Sequence, residues 1–449
     1  MDFYQAIQPY SKQLINDLTN LLKIDTTLIE QPQNPEAPFG AGLREALDHI
    51  LKLGQAMGFK TKKIDQVVGY IEYGEGTDIV GILCHLDVVP AGEGWKYPPF
   101  SATIEGDRLY ARGAMDDKGP LMASLYAMKL LKDNNIPVTK RIRLIIGTDE
   151  ETNWRCINRY IEKCELPVVG FSPDAEFPII YGEKGILSID LLSDFQDPTL
   201  VNLAAGDRYN VVPEKALAVL KGNHEEQYLS FTKSNLYHGK AEVKEDDTIL
   251  KMYGKSAHAM EPDLGINALI QLSHYLALKT KHPLVNFISK YLCDSRGRAL
   301  GLAFSDPEMK DLTINVALAA INQKGGRVGL NLRYPIHWDK EAFLKRLQEK
   351  AGSIKVKVMK DSTPHYVAKD TVLVKTLHEA YQKYTQDTKT PLLTIGGGTY
   401  ARAFKNVVAF GMLMPGREDV VHQVNEYISI SDLMTSVAIY AEAMALLGQ

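Results

Sequence analysis

The chain has 449 residues, of which 45% are hydrophobic and 24% charged, and 51 basic against 55 acidic side chains leave a formal net charge of −4. A chain of this length outgrows one hydrophobic core, so two or three folded parts are expected, and the ordinary composition argues against disorder and against a membrane protein. So balanced a charge gives no general attraction for nucleic acid or anionic lipid, which leaves small neutral or zwitterionic ligands open.

The N-terminal stretch MDFYQAIQPYSKQLINDLTNLLKID lacks a basic segment followed by an unbroken apolar run, and Ile15, Leu18, Leu21 and Leu22 share one helical face. It reads as a structural helix. No later run approaches the roughly 18 consecutive apolar residues that a bilayer span requires. The four cysteines, Cys84, Cys156, Cys164 and Cys293, form no CxxC pair. That disfavours a disulfide scaffold or a sulfur-ligated zinc and fits a reducing cytoplasm.

Apolar runs then alternate with helical periodicity: VVGYIEYG, DIVGILCHLDVV, a helix from about Pro120 to Asp133, and RIRLIIGTDEE. Buried strands alternating with helices predict an α/β fold with a mostly parallel sheet flanked by helices. The pattern returns at the end as a helix VLVKTLHEAYQKYT, a strand NVVAFGMLMP and a long helix ISISDLMTSVAIYAEAMALL, so the two ends are expected to build one sheet. Between them lie exposed-looking strands, GILSIDLLSD, LTINVALAAINQ, GGRVGLNLRYP and SIKVKVMKD, with amphipathic helices near GINALIQLSHYLALK and DKEAFLKRLQEKA. The expected organisation is an α/β domain formed by residues 1–185 and 367–449, interrupted at 186–366 by an inserted α+β domain with two strand-and-helix subdomains.

Chemistry-bearing residues gather at strand ends. His85 and Asp87 stand two apart where an apolar strand ends, so their side chains share a face at the edge where open α/β sheets bind ligands. A satisfied structural histidine is the plain alternative. Asp87 could accept from one ring nitrogen and leave the other for a metal. Asp116 and Asp117 precede a helix, where an N-cap is the ordinary use of an aspartate. Glu150 and Glu151 end the next strand; solvated loop carboxylates are one reading, and a cation ligand beside a proton carrier is the other. Asp174 follows in a turn, and His422 lies beyond a C-terminal strand.

The ordered set HLDVVP, GAMDDKG, an EE pair, SPDAE and a distant HQVNE resembles the M20 metallopeptidases over nearly the whole chain. TDEETNW, GGGTYAR and MPGREDVVHQVNE look like the bacterial dipeptidase branch called peptidase V. The resemblance implies two divalent metal ions bridged by Asp116, with His85 and Asp174 completing one site and Glu151 and His422 the other. It makes Glu150 the general base for a metal-bridging hydroxide and gives Asp87 the task of buttressing His85. Three carboxylates and one hydroxide would offset four positive charges, and one imidazole per metal with the rest oxygen suits zinc, manganese or cobalt without selecting one, zinc being the metal expected first.

In the inserted lid, the resemblance assigns His258 to the developing oxyanion, and Asn210 and Arg333 to the substrate's carboxylate. Taken alone these are a loop histidine, a turn asparagine and a surface arginine. The triple glycine of LTIGGGTYARAF lacks the phosphate-loop spacing and suggests close backbone approach to a ligand, with Arg402 as a second substrate contact or a structural ion pair. No GxSxG elbow occurs, and Cys84 should face the core. The lid exceeds those of dimeric relatives, so a working monomer is expected, acting on unblocked dipeptides in the cytoplasm. Two rivals are an N-acyl amino acid deacylase or desuccinylase of the same fold and a non-catalytic peptide-binding protein.

Overall fold

The run IVGILCH carries no charge before its last residue, which suits a strand covered on both sides. In the computed structural model, which describes residues 1–449, it forms Ile79–His85 with every residue buried. Arg141–Gly147 and Val169–Ser172 pair with it in parallel, and Val407–Ala409 adds in parallel to Val169–Ser172. The two ends of the chain therefore share one sheet. Lys60–Ile64 and Val68–Tyr73 extend it antiparallel on the far side of Arg141–Gly147.

The chain divides into two units, the first holding Met1–Tyr181, Tyr366–Leu393 and Gly398–Gln449, the second Gly182–His365 and Thr394–Gly397. In the first unit, strand alternation puts Gly69 and Ile71 against the helix Ala41–Ala56, while Tyr70 meets Tyr160 of the helix Arg155–Lys163 on the other face. Below that helix the buried Arg143 guanidinium donates to Glu72 at 2.7 Å and to the Tyr160 hydroxyl at 2.9 Å. The expected helix near Pro120 runs Lys118–Asp133, and Val372–Thr385 and Ile430–Leu447 form as anticipated. At the N-terminus Ser11–Leu22 is helical, but Leu14 rather than Ile15 takes the fully buried place.

Ile430–Leu447 corrects the expectation that nothing in the chain is apolar enough to span a bilayer. Its 18 residues have a mean hydropathy of 1.4, long and apolar enough by composition. Asp432 and Glu442 interrupt the apolar run, which is why a search for unbroken runs passes over it. The helix is 67% buried inside the fold, packed on Lys118–Asp133 and Val372–Thr385, as a core helix is.

The second unit is built on one eight-stranded antiparallel sheet, ordered His238–Lys244, Asp247–Tyr253, Lys215–Lys221, Leu200–Ala205, Thr313–Asn322, Gly325–Tyr334, Gly185–Ser193 and Lys355–Ser362. Its two strand-and-helix halves join where Leu200–Ala205 pairs with Thr313–Asn322. Of the strands expected to look exposed, Thr313–Asn322 and Gly325–Tyr334 are mostly buried, because they occupy the middle of the sheet. Of those strands only Lys355–Ser362, at the sheet edge, is open to solvent.

Candidate metal centre

His258 apart, the acidic and imidazole candidates lie in the first unit, with His85, Glu150 and Asp174 at the carboxyl ends of its parallel strands and Asp116 and His422 in loops. His85 ends Ile79–His85 with its ring buried. Its Nδ1 pairs at 2.9 Å with the main-chain carbonyl of Asp87, and the Tyr400 ring stands edge-on 6.1 Å away. The ring is thereby fixed with Nε2 pointing at acid: 2.9 Å from Asp116 Oδ1 and 3.5 Å from Asp174 Oδ2. From the other side, His422 Nε2 lies 2.9 Å from Asp116 Oδ2 and 2.9 Å from Glu151 Oε1. Asp116 thus presents one oxygen to each imidazole.

Two expected details differ. The Asp87 carboxylate is not the main partner of His85, since its Oδ1 stands 3.5 Å from Nδ1. It accepts instead the amides of Glu150, at 3.0 Å, and Glu151, at 2.9 Å. The fully buried Asp87 therefore holds the turn that carries both glutamates. Asp117 precedes the helix Lys118–Asp133 without capping it; its Oδ2 accepts the His85 amide at 2.9 Å. The ordinary N-cap role is therefore not the one that Asp117 plays.

Donor atoms of His85, Glu150 and Asp174 lie within 4.8 Å of one another, as do those of His85, Asp116 and Glu151. His85 Nε2 and Asp116 Oδ1 are buried and make no hydrogen bond, although they are 2.9 Å apart. Buried polar atoms are nearly always paired, so two convergent orphans amid carboxylates form a donor set that fits a divalent cation.

The electrostatics point the same way. Burial pushes the Glu150 carboxyl well above the usual carboxylate range, with Asp174, Glu151 and Asp87 adding to the rise. Burial and the Asp116 charge carry Glu151 to about 7 and Asp174 to about 6. Burial opposes the charged imidazolium of His422, yet Asp116 and Glu151 hold it at about 11. His85 is likewise raised, by Asp116, Asp174 and Asp87 against its burial. Asp116, burial notwithstanding, is held low by His422 and His85. So much buried negative charge needs cationic partners, which the two imidazoles supply only in part.

A profile of peptidase family M20/M25/M40 matches residues 81–446, which takes in every residue of this cluster. The chain belongs to peptidase family M20/M25/M40. It is accordingly a peptidase, and the family is metal-dependent. The chain is 44% identical over 449 residues to "Putative dipeptidase YtjP" of Bacillus subtilis, covering 96% of both chains. It is 40% identical over 460 residues to "Putative dipeptidase MW1694" of Staphylococcus aureus, covering 98% of both. Among solved structures, the M20 family metallo-carboxypeptidase Sso-CP2 of Sulfolobus solfataricus superposes with a TM-score of 0.59 at 20% identity, over 97% of this chain and 99% of that one. Human carnosine dipeptidase 1 gives 0.58 at 16% identity, over 100% and 98%. At these identities the structures establish the M20 fold, a sheet-and-helix unit with an insertion.

The remaining sequence candidates fall in different places. Asn210, His258 and Arg333 belong to the second unit. There the Ala259 amide donates to the Asn210 carbonyl at 2.9 Å, and Val211 bridges His258. Arg333 is buried rather than at the surface, donating to Asn331 Oδ1 at 2.9 Å and to the Gly396 carbonyl at 2.6 Å. The close approach expected of the triple glycine is to protein: a Cβ on Gly396 would come within 2.6 Å of Met260 Cβ, and one on Gly398 within 2.7 Å of Arg402 Nη1. Half-buried Arg402 belongs to the turn Tyr400–Ala403 of the first unit.

Sequence reasoning missed Arg112 and Glu426. Glu426 is buried, receives Arg112 Nη1 at 2.7 Å, and accepts three amides from the loop that bears Asp116. The available signal was a glutamate four residues beyond His422 in HQVNE.

Proposed function

We propose that this peptidase is a dipeptidase that cleaves the peptide bond of unblocked dipeptides with two divalent cations. His85 and Asp174 would hold one, Glu151 and His422 the other, and Asp116 both. The observation that carries this reading is Asp116 between two imidazoles, each 2.9 Å from a different carboxylate oxygen. The dipeptidase names borne by relatives at 40–44% identity over almost the whole chain support the substrate class.

When bound, the cations would supply Lewis acidity, polarising the scissile carbonyl and acidifying water. Glu150 is the proposed general base. Its half-buried carboxyl, raised in pKa, is suited to take a proton from the attacking water and return it to the leaving amine. Asp87 keeps that carboxyl at the strand end through the Glu150 amide. Asn210 and Arg333 are assigned to the substrate's carboxylate and His258 to the oxyanion, as the sequence resemblance suggests, with Arg402 as a further substrate contact. The length of the inserted unit supports a working monomer, to be checked by light scattering and by activity independent of dilution, and the four free cysteines fit a reducing cytoplasm.

The test is Glu150→Gln, assayed on dipeptides and N-acyl amino acids after chelation and reconstitution with zinc, manganese or cobalt. Two bound cations should be retained while turnover falls at least about 100-fold, the scale of a general base. Loss of a cation would make Glu150 a ligand. Preference for N-acyl amino acids would replace the dipeptidase reading by a deacylase.

A further inference from the structure

The Arg112–Glu426 pair lies outside the proposed donor set, yet it ties together the two loops that carry Asp116 and His422. Strand pairing brings it there. Tyr427–Ser429 runs antiparallel to Arg108–Tyr110, with Tyr427 opposite Tyr110, and the ladder continues as the Ala111 amide donates to the Glu426 carbonyl at 3.1 Å. That register sets the Glu426 side chain beside the turn that follows Arg112.

Every carboxylate lone-pair direction is then used. Oε1 accepts from Met115 N at 2.8 Å and Asp116 N at 3.2 Å, while Oε2 accepts from Gly113 N at 3.1 Å and Arg112 Nη1 at 2.7 Å. Arg112 reaches on through Nη2 to the carbonyls of Pro90, Ala91 and His422, at 3.5, 3.4 and 3.4 Å. The guanidinium also stacks over the Trp95 ring, 5.3 Å from its centroid. Both side chains are buried, so their mutual attraction is little screened. One carboxylate thus fixes the backbone of Asp116, and one guanidinium fixes the backbone of His422.

We propose that Glu426 and Arg112 are positioning residues that hold the Asp116 loop and the His422 loop in one register, so that both imidazoles can share Asp116. The inference rests on the two-cation reading of the site. Glutamine at 426 keeps the shape but replaces an acceptor oxygen by an amide donor, which must then face either backbone N–H groups or the guanidinium. Loop register should loosen while the donor side chains stay intact, and cation affinity should suffer before substrate affinity.

The experiment compares wild type, Glu426→Gln, Arg112→Lys and Glu72→Gln, the last removing a partner from the equally buried Arg143 pair away from the cluster. Zinc affinity is read by chelator competition, folding by circular dichroism and thermal melting, and kcat and KM on a dipeptide. Glu426→Gln and Arg112→Lys should weaken zinc binding at least tenfold and lower kcat at least tenfold at subsaturating zinc, with KM within about threefold. Glu72→Gln should lower the melting temperature without changing zinc affinity. Equal zinc affinity in wild type and Glu426→Gln, or the same loss in Glu72→Gln, overturns the proposal. Should Glu426→Gln not fold, Arg112→Lys alone decides on the same readouts. Failure of wild type to bind two zinc ions overturns the two-cation reading instead.

Discussion

Replacing Asp87 by asparagine separates two accounts of that residue. If its carboxylate chiefly oriented the His85 ring, the substitution would disturb the imidazole; yet His85 Nδ1 already pairs with the Asp87 main-chain carbonyl, which asparagine retains. What asparagine removes is one of two anionic acceptors for the Glu150 and Glu151 amides, at 3.0 and 2.9 Å in a fully buried setting. Its side-chain nitrogen would point an N–H at a backbone N–H. Hydrogen bonds to charged groups are worth about 1.5–3 kcal/mol each, and one of the two is lost outright.

The cation-free protein should therefore be destabilised by about 1.5–3 kcal/mol in urea unfolding. If that energy is what separates the held turn from a displaced one, Glu150 occupies its place about 10–100 times less favourably, since each 1.4 kcal/mol is a factor of ten. Turnover of a dipeptide should fall by a comparable factor, and cation affinity should drop through Glu151. His85, followed by NMR in the cation-free protein, should keep its wild-type tautomer because the Asp87 main-chain carbonyl remains, while its pKa falls with the loss of the charge 3.5 Å away. Unchanged stability and turnover within twofold of wild type, or a switched His85 tautomer, would refute the assignment of Asp87 to the glutamate turn.

Gly147→Ala tests the support behind His85. The new Cβ would lie 2.3 Å from the Tyr400 hydroxyl and 2.8–2.9 Å from its ring, which is fully buried against His85, so a loss of about 1–3 kcal/mol is expected in thermal melting. Adding Tyr400→Leu should recover part of that loss, and no recovery would mean the clash is not with Tyr400. His282→Leu tests a pH dependence in the second unit, where the ring is buried with both nitrogens lacking hydrogen-bond partners. Burial lowers its pKa below the ordinary 6.5, Asp197 opposing. The unfolded chain takes up the proton first, so stability is complete above pH 6.5 and is lost as pH falls below it. The variant should flatten the fall in urea stability between about pH 6.5 and 5, and an unchanged slope would remove His282 from the account.

Particular residues explain what the sequence could and could not disclose. The central strand was legible because IVGILCH and RIRLIIG need cover on both faces, and the pairing of the two chain ends followed from the same run of apolar residues in NVVAFG. His85, Glu150 and Asp174 stood out because each ends or follows such a strand, where side chains reach a common edge, and Asp116 because it stands in an Asp-Asp pair just before a helix. Arg333 looked like a surface arginine because burial of a guanidinium depends on distant acceptors, here Asn331 and the carbonyl of Gly396, which no local pattern announces.

Asp87 and Glu426 expose the deeper limit. Spacing tied Asp87 to His85 and left Glu426 without a role, whereas each carboxylate in fact binds backbone amides: those of Glu150 and Glu151 more than 60 residues away for Asp87, and those of Gly113, Met115 and Asp116 more than 300 away for Glu426. A main-chain donor leaves no mark in the sequence, since every residue but proline has one. The side chains that would touch a cation can therefore be read by type and order. Those that hold them in place must be found by following each buried carboxylate to the N–H groups it satisfies.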